Sequence, residues 1–406
     1  LGLYAAATRG ELPGASGGRL GPTRVFLVVQ VAASVALLVG ATMFVRTLRN
    51  LESLDAGFNP EHLLLMTVDP RESRFQGDRA TFLLDELTDR VPAVPGVRSA
   101  ALALATLFGE SAQKNVWVQG DTYNHGAVAF NIVGPGFFAN AGIPLLTGRE
   151  FSSRDRTGAP LVAIINQAFA REYFPGQNPL GRRFGDQGAD SAGKCEIIGV
   201  VMDARYTSLR IAPRPAVFQS LWQLAESAPF VLHVRVTGEP GTTAARVRRE
   251  IQAIDPQLVI YGIQTMTEQV NTTLRQERMF ATLSALFGAL ALVLCCVGLY
   301  GVAAYSVRSR TNEIGIRMAL GASRANVVWL VLRQTLVLVA IGVAIGVPVA
   351  LACTRFVKSL LFGLAPGEPS SVAIAVLTLA GVAVIAAFLP ALRATRIDPL
   401  EALRYE

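Results

Sequence analysis

Apolar residues are distributed along this chain in two different ways. Four windows, residues 25–45, 280–305, 336–353 and 372–389, are nearly uninterrupted apolar runs, and the first contains Gln30 but no charge. A helix crossing about 30 Å of hydrocarbon needs roughly 20 apolar residues. The four runs therefore predict membrane-spanning helices, the last two at the short end of that range.

Between the first and second runs the period changes. Residues 79–91 place Phe82, Leu83, Leu84 and Leu87 among acids and Arg90, the pattern of an amphipathic helix. Residues 97–104, 116–119, 128–133, 161–166, 196–201 and 230–236 read as strands. Residues 167–174 read as a helix ended by Pro175-Gly176, and 242–254 as a helix that stops at Asp255-Pro256. The block is long enough for a core of its own, in two subdomains. The predicted fold class is an α+β membrane protein: four transmembrane helices with a large mixed α/β extracytoplasmic domain between helices one and two.

Composition agrees with a chain partly in lipid. It is 51% hydrophobic, 17% charged and has a mean hydropathy of +0.40, whereas soluble domains are about 25% charged. The net charge of +7 invites a nucleic-acid reading, but its distribution argues against one. Lys114, Lys194 and Lys358 are the only lysines; the rest is arginine, clustered beside the apolar runs. Arg9, Arg19 and Arg24 precede the first run. Arg308, Arg310, Arg317 and Arg324 lie between the second and third, and Arg393, Arg396 and Arg404 follow the fourth. Positive flanks mark the cytoplasmic side. Both termini and residues 306–324 are thus expected inside, with the large block and residues 354–371 outside. Arg46 and Arg49 sit on the outer flank of the first run, against the trend.

Candidate chemistry is sparse. Cys195 is the only cysteine of the block, so no bridge within it is expected; Cys295, Cys296 and Cys353 fall in the apolar runs. His62, His125 and His233 have no metal-ligand spacing. Gly188–Cys195 falls one residue short of a phosphate-binding loop, and it leads into a strand instead of leaving one for a helix. No nucleophile–base set stands out, and Asp85 and Glu86 read as the solvated face of a helix. No catalytic residue, cofactor or metal is predicted. The polar residues of the runs, Gln30, Ser34, Thr42, Ser284 and Thr378, include no central charge, as an ion pathway would need. Gly342 and Gly346 form a GxxxG pair suited to close helix packing, and Gly298 and Gly301 lie near the end of the second run.

The most distinctive stretch is EIGIRMALGA, residues 313–322. Thr311 or Asn312 can cap it, and Glu313 suits the positive end of a helix. Ile314, Arg317 and Met318 share a face, and Gly321 suits a helix stop. Ser323 can cap a following helix that runs along the interface through Trp329, with Arg333 and Gln334 at the boundary, and enters the membrane near Leu336. Such a segment is either a connector whose arginines fix topology or a coupling helix docked on a soluble partner. At the C-terminus, Asp398 and Glu401 form a capping box with Pro399 at the first helical position. Leu400, Ala402, Leu403 and Arg404 extend it as a short interfacial helix, an anchor or a second partner contact.

These stretches resemble the MacB/FtsX-type permeases, membrane subunits of ABC systems. The resemblance rests on GLYGVAAYSVRSRTNEIGIRMALGAS (298–323), LPALRATRIDPLEALRYE (389–406), GREFSSRDRTGAPLVAIINQAFAREYFPGQNPLGRRF (148–184) and QVAASVALLVGATMFVRTLRNL (30–51). It implies spans at 25–45, 280–305, 336–353 and 372–390, an external loop at 354–371 and a cytoplasmic tail at 391–406. It implies an extracytoplasmic domain at 46–279 with an inserted α/β part near 135–215, and a coupling helix and interfacial elbow at 306–335. It also implies that Glu313, Ile314, Gly315, Ile316, Arg317, Ala319, Leu320 and Gly321 contact a separate cytoplasmic ABC ATPase, which would bind the ATP. Further implied partners are membrane lipid, a second permease half or second copy, and a periplasmic protein. The implied location is the bacterial inner membrane. The alternative is an ATPase-independent membrane scaffold acting through its exported domain. Ala7–Leu12 (ATRGEL) echoes ATRIDPL at 394–400, which reads either as chance or as residues 1–24 being the tail of a preceding copy in a duplicated parent.

Overall fold

The computed structural model describes residues 22–75, 79–109, 112–120, 126–206, 208–223, 228–311, 313, 316–317, 323–356, 362–363 and 368–394. The chain divides into two compact units, residues 51–276 and the remainder.

Among the described residues the membrane unit contains four long helices: α1 (Pro22–Glu52), α7 (Arg275–Ser309), α8 (Arg324–Phe356) and α9 (Pro369–Ala394); α2 (Ala80–Arg90), α3 (Phe137–Ala141), α4 (Gln167–Tyr173), α5 (Pro240–Ile254) and α6 (Met266–Thr273) belong to the other unit. All four are long and apolar enough to cross a bilayer. At 1.5 Å per residue the 33-residue α8 is about 50 Å long, well beyond the hydrocarbon. Each helix outruns its apolar window because backbone hydrogen bonding continues into the polar flanks. Here the expected elbow near Leu336 gives way to one uninterrupted helix. Nothing between Arg324 and Ile341 breaks it: the stretch has neither Pro nor Gly.

Helix α1 is the hub of this unit. Val31, Val35 and Val39 are fully buried and cluster with Cys295 and Leu299 of α7, Val339 and Ala350 of α8, and Leu379 and Ala383 of α9. A second cluster joins Ala303 and Val307 of α7, Val327 and Val331 of α8, and Ala387 and Ala391 of α9. Opposite these faces, Phe26, Leu286, Phe287, Val297, Leu377 and Ile385 are exposed, as expected of side chains that meet lipid. Arg46, the exception to the charge rule, is compensated locally. Its guanidinium donates to Ser370 and, at 3.0 Å, to Ser371, and lies 3.5 Å from Glu368 at the start of α9.

The exported unit is built on one twelve-stranded mixed sheet, in the order β12-β1-β11-β2-β5-β10-β7-β9-β8-β4, with β3 on β5 and β6 on β9. The strands are β1 (Leu63–Asp69), β2 (Val97–Ala103), β3 (Ala112–Asn115), β4 (Trp117–Val118), β5 (Ala127–Val133) and β6 (Leu145–Gly148), followed by β7 (Leu161–Asn166), β8 (Arg183–Gly185), β9 (Cys195–Val201), β10 (Ala216–Ser220), β11 (Phe230–Val236) and β12 (Val259–Thr265). Two of the pairs, β5–β10 and β7–β9, are parallel. Both of the expected longer helices form, as α2 (Ala80–Arg90) and α5 (Pro240–Ile254), and they cover one face.

Packing explains which strands the sequence disclosed. In β1, Leu64, Met66 and Val68 face the helices' cluster, whereas Leu63 and Leu65 face a second cluster containing Phe137, Phe138 and Met266. With both faces buried, β1 has no polar alternation to read. A third cluster, around Phe130, Ile165, Phe169 and Phe184, lies at the β7–β9 end. The strands between 145 and 201 reach the rest of the sheet through β10, so the region 135–215 shares this sheet, and its third cluster also takes in Val116, Val118, Val128, Phe130 and Val217.

Candidate functional site

Between α7 and α8 the chain carries the charged segment singled out above. Its described residues, Glu313, Ile316 and Arg317, are helical. Glu313 and Arg317 pair one turn apart, with Nη2 2.7 Å from Oε1, and both side chains are about half exposed (46% and 50%). An ion pair so exposed contributes only a few tenths of a kcal/mol. Its effect is to hold two charges in a fixed arrangement on an accessible face. Ile316 beside them is 49% exposed. Ile314, Gly315, Ala319, Leu320 and Gly321, with Asn312 and Met318, lie outside the described residues, as do Asp398, Pro399, Glu401, Ala402, Leu403 and Arg404 of the C-terminal motif.

Two capping expectations can be compared with the structure. The Thr311 hydroxyl donates to the carbonyls of Val307 (3.2 Å) and Arg308 (3.0 Å). These two bonds close the end of α7. Ser323 accepts from the Asn326 amide, through its carbonyl at 3.0 Å and its hydroxyl at 3.4 Å, at the start of α8.

Close helix approach is concentrated on α1. A Cβ placed on Gly346 would lie 2.8 Å from the Ala32 carbonyl oxygen and 2.9 Å from Ala32 Cα. One placed on Gly342 would lie 2.6 Å from Val31 Cβ. These glycines let α8 lie backbone to backbone against α1, within a single copy of the chain. On α7, Gly288 faces Ala41 of α1 and Gly298 faces Gln30. The Ser34 hydroxyl donates within its own helix to the Gln30 carbonyl (2.9 Å) and lies 3.3 Å from the Ala291 carbonyl of α7.

In the exported unit, titratable groups serve structure. Asp85, expected on a solvated helix face, instead accepts Trp222 Nε1 at 2.8 Å and both Arg156 nitrogens at 2.8 and 2.9 Å. Burial pushes its carboxyl up, but these hydrogen bonds outweigh burial and hold it below the ordinary value. Glu86 is half exposed, facing Arg90 at 3.5 Å. Asp155 is balanced in the same way by Arg149 and Ser152. Cys195 is buried and its thiol is pushed up to about 12, which makes it inert. Gly188–Cys195 leads through a short turn into β9, the wrong order for a nucleotide loop. Among the described residues no group of His, Cys, Asp and Glu is placed to hold a metal. A cavity of about 340 Å³ has Lys114 and Asp186 in its lining, but these pair with each other at 2.6 Å.

Comparison with known proteins covers both units. Residues 27–254 match the MacB-like periplasmic core domain, and residues 285–399 match the FtsX-like permease C-terminal domain. A macrolide export ATP-binding/permease protein MacB from Marinobacter nauticus is 27% identical over 286 residues, covering 65% of this chain and 41% of its own. A probable syringafactin export ATP-binding/permease protein SyfD from Pseudomonas syringae pv. tomato is 30% identical over 294 residues, covering 67% and 41%. An uncharacterized ABC transporter permease YknZ from Bacillus subtilis is 26% identical over 294 residues, covering 68% and 70%. The chain thus spans less than half the length of the MacB and SyfD relatives. The periplasmic region of MacB from Actinobacillus actinomycetemcomitans aligns with 55% of this chain and 97% of its own, at 12% identity and a TM-score of 0.38, too loosely to add weight. By its four membrane helices, its large α/β block between the first and second, and both sequence matches, the chain belongs to the MacB/FtsX-like family of ABC transporter permeases, multi-pass inner-membrane proteins with a large periplasmic domain.

Proposed function

We propose that this permease is a non-catalytic transmission subunit, relaying ATP-driven motion from a separate cytoplasmic ABC ATPase to its periplasmic domain for efflux or other periplasmic work. The observation that carries this reading is the Glu313–Arg317 pair with exposed Ile316, a patterned helical surface set between the two membrane helices α7 and α8. The relatives' names support it. MacB and SyfD are named as ATP-binding/permease proteins, and YknZ as a permease. Motion of the coupling segment reaches α7 and α8 directly, and α1 through the glycine contacts of α8. A second permease copy or half would complete the pair of membrane subunits that a dimeric ATPase engages.

The test exchanges the charges in place, Glu313→Arg with Arg317→Glu, which keeps the i,i+4 pair while inverting the pattern shown to a partner. The full-length protein is purified from its native host in nanodiscs, and copurifying ATPase is measured. Transmission predicts an ATPase that copurifies with the parent and is lost on exchange. If no ATPase copurifies while native function persists, the chain acts as an ATPase-independent scaffold through its periplasmic domain.

A further inference from the structure

At the cytoplasmic ends of the membrane helices, two adjoining cavities share the lining residues Arg24, Val302, Ser306 and Arg310. One, of about 330 Å³, adds Arg333 and Gln334 of α8 to the polar lining. The other, of about 610 Å³, continues along the α1–α7 seam between Phe26, Leu27, Val297 and Gly301. Arg24 of α1, Arg310 just beyond α7 and Arg333 of α8 thus line one cavity that adjoins the groove. No Asp or Glu lines either cavity among the described residues. Guanidinium groups bind phosphate oxygens in bidentate geometry and resist deprotonation.

We propose that this cleft binds one anionic phospholipid of the cytoplasmic leaflet. Its phosphate lies among Arg24, Arg310 and Arg333, with Ser306 and Gln334 as neutral partners, and an acyl chain follows the seam past Gly301. The occupant is fixed by the match between the site's two ends and the two ends of a lipid. Charge excess alone explains topology, but it does not require Arg24, Arg310 and Arg333, from three separate segments, to line one cavity that adjoins an apolar seam. Basic clefts between membrane helices on the cytoplasmic side favour anionic headgroups by roughly 1 kcal/mol per arginine. Gly301 defines the groove: a Cβ there meets no heavy atom within 4 Å, whereas one on Gly298 lies 2.8 Å from Gln30 Oε1. Gly298 closes the seam and Gly301 leaves it open. Because Arg310 directly follows α7, just before the charged segment, an occupied site ties the start of that segment to α1 and α8.

Native mass spectrometry of the full chain, titrated with phosphatidylglycerol and with phosphatidylcholine, reads the site directly. Phosphatidylglycerol is expected to bind preferentially. Arg310→Gln is expected to weaken it roughly fivefold, and Arg24→Gln, Arg310→Gln and Arg333→Gln together roughly a hundredfold. Arg308→Gln removes the same charge two residues away, outside both linings, and is expected to change binding less than twofold. Should the triple variant fail to insert, the three Arg→Lys changes keep the topology signal and still weaken binding by losing the guanidinium fork. Gly301→Leu fills the groove without touching a charge and is expected to displace phosphatidylglycerol. Equal retention of phosphatidylcholine, or equal losses from Arg308→Gln and Arg310→Gln, would overturn the proposal. So would full binding in Gly301→Leu combined with competition by inorganic phosphate, which would mean a soluble anion site. Efficient cross-linking between copies through Gly301→Cys would assign the groove to a second copy and equally refute it.

Discussion

The sharpest energetic consequence concerns Gly346. Replacing it with alanine puts a methyl carbon 2.8 Å from the Ala32 carbonyl oxygen, 2.9 Å from Ala32 Cα and 2.9 Å from Val35 Cβ. Unstrained carbon contacts lie at about 3.5–4.0 Å. The obstacle on the α1 side is backbone, which cannot rotate away, so α1 and α8 must separate by roughly 0.6–1 Å along the seam. A gap of that size forfeits about a quarter to a half of the dispersion well for the neighbouring pairs, and overpacking of this kind costs about 1–3 kcal/mol. Alanine's helix propensity returns about 1 kcal/mol, so the net effect is a loss of about 0–2 kcal/mol. Gly381 of α9 is the control: it is exposed, and a Cβ there meets nothing within 4 Å. Gly381→Ala should be neutral or stabilising by up to about 1 kcal/mol. The two variants are compared by reversible unfolding of the full chain in mixed micelles with increasing SDS, followed by helical ellipticity. Gly346→Ala should unfold at lower SDS than Gly381→Ala, with Gly342→Ala beside it. If Gly346→Ala matches or exceeds the control, the helices do not approach as described and the packing argument fails.

Other consequences follow for both units. His233 is fully buried with its imidazole pushed down to about 4, against about 6.5 when unfolded. Between these values the unfolded chain binds a proton that the folded one does not, so stability is complete above pH 6.5 and falls by about 3 kcal/mol toward pH 4. His233→Leu should flatten that slope in Trp222 fluorescence melts at pH 7 and pH 5; an unchanged slope would assign the effect elsewhere. Asp69, Asp85 and Asp155, all held below their ordinary values, add losses only at lower pH still. Asp85→Asn keeps an acceptor for Trp222 but strips Arg156 of its counter-charge, and should cost about 1 kcal/mol in urea unfolding. Asp85→Ala removes both and should cost about 1–3 kcal/mol; equal losses would show that the Trp222 bond contributes nothing. Glu368→Gln leaves Arg46 without its carboxylate on the outer side, and should lower the SDS midpoint of the membrane unit more than the same change at Glu313, whose pairing is exposed.

The membrane architecture was legible because the bilayer imposes a length and a composition on every span, and arginines mark the side. The windows at 25–45, 280–305, 336–353 and 372–389 all lie within the four helices observed. Strands β7 and β11 were read to the residue, because turn signals bound short apolar runs at both places. The sequence was silent on β1 and β10, where burial on both faces erases alternation, on the three-residue β8, too short to show a period, and on the polar, weakly buried β3. It misjudged Asp85, because helical periodicity cannot report that Trp222 and Arg156, distant in the chain, fold onto it. It placed an elbow at Leu336 from polarity alone, although a helical stretch without Pro or Gly, as residues 324–341 are, continues through a change of solvent. What the sequence by itself determined was the set of elements that a solvent boundary dictates: which segments enter lipid, which side they face, and where a charged segment stands between two spans. Only the tertiary structure decided the partners. It set Gly342 and Gly346 against α1, matched Arg46 to Glu368, and gathered Arg24, Arg310 and Arg333 around one cleft. Those depend on distances between residues far apart in the chain, which packing fixes and local periodicity does not encode.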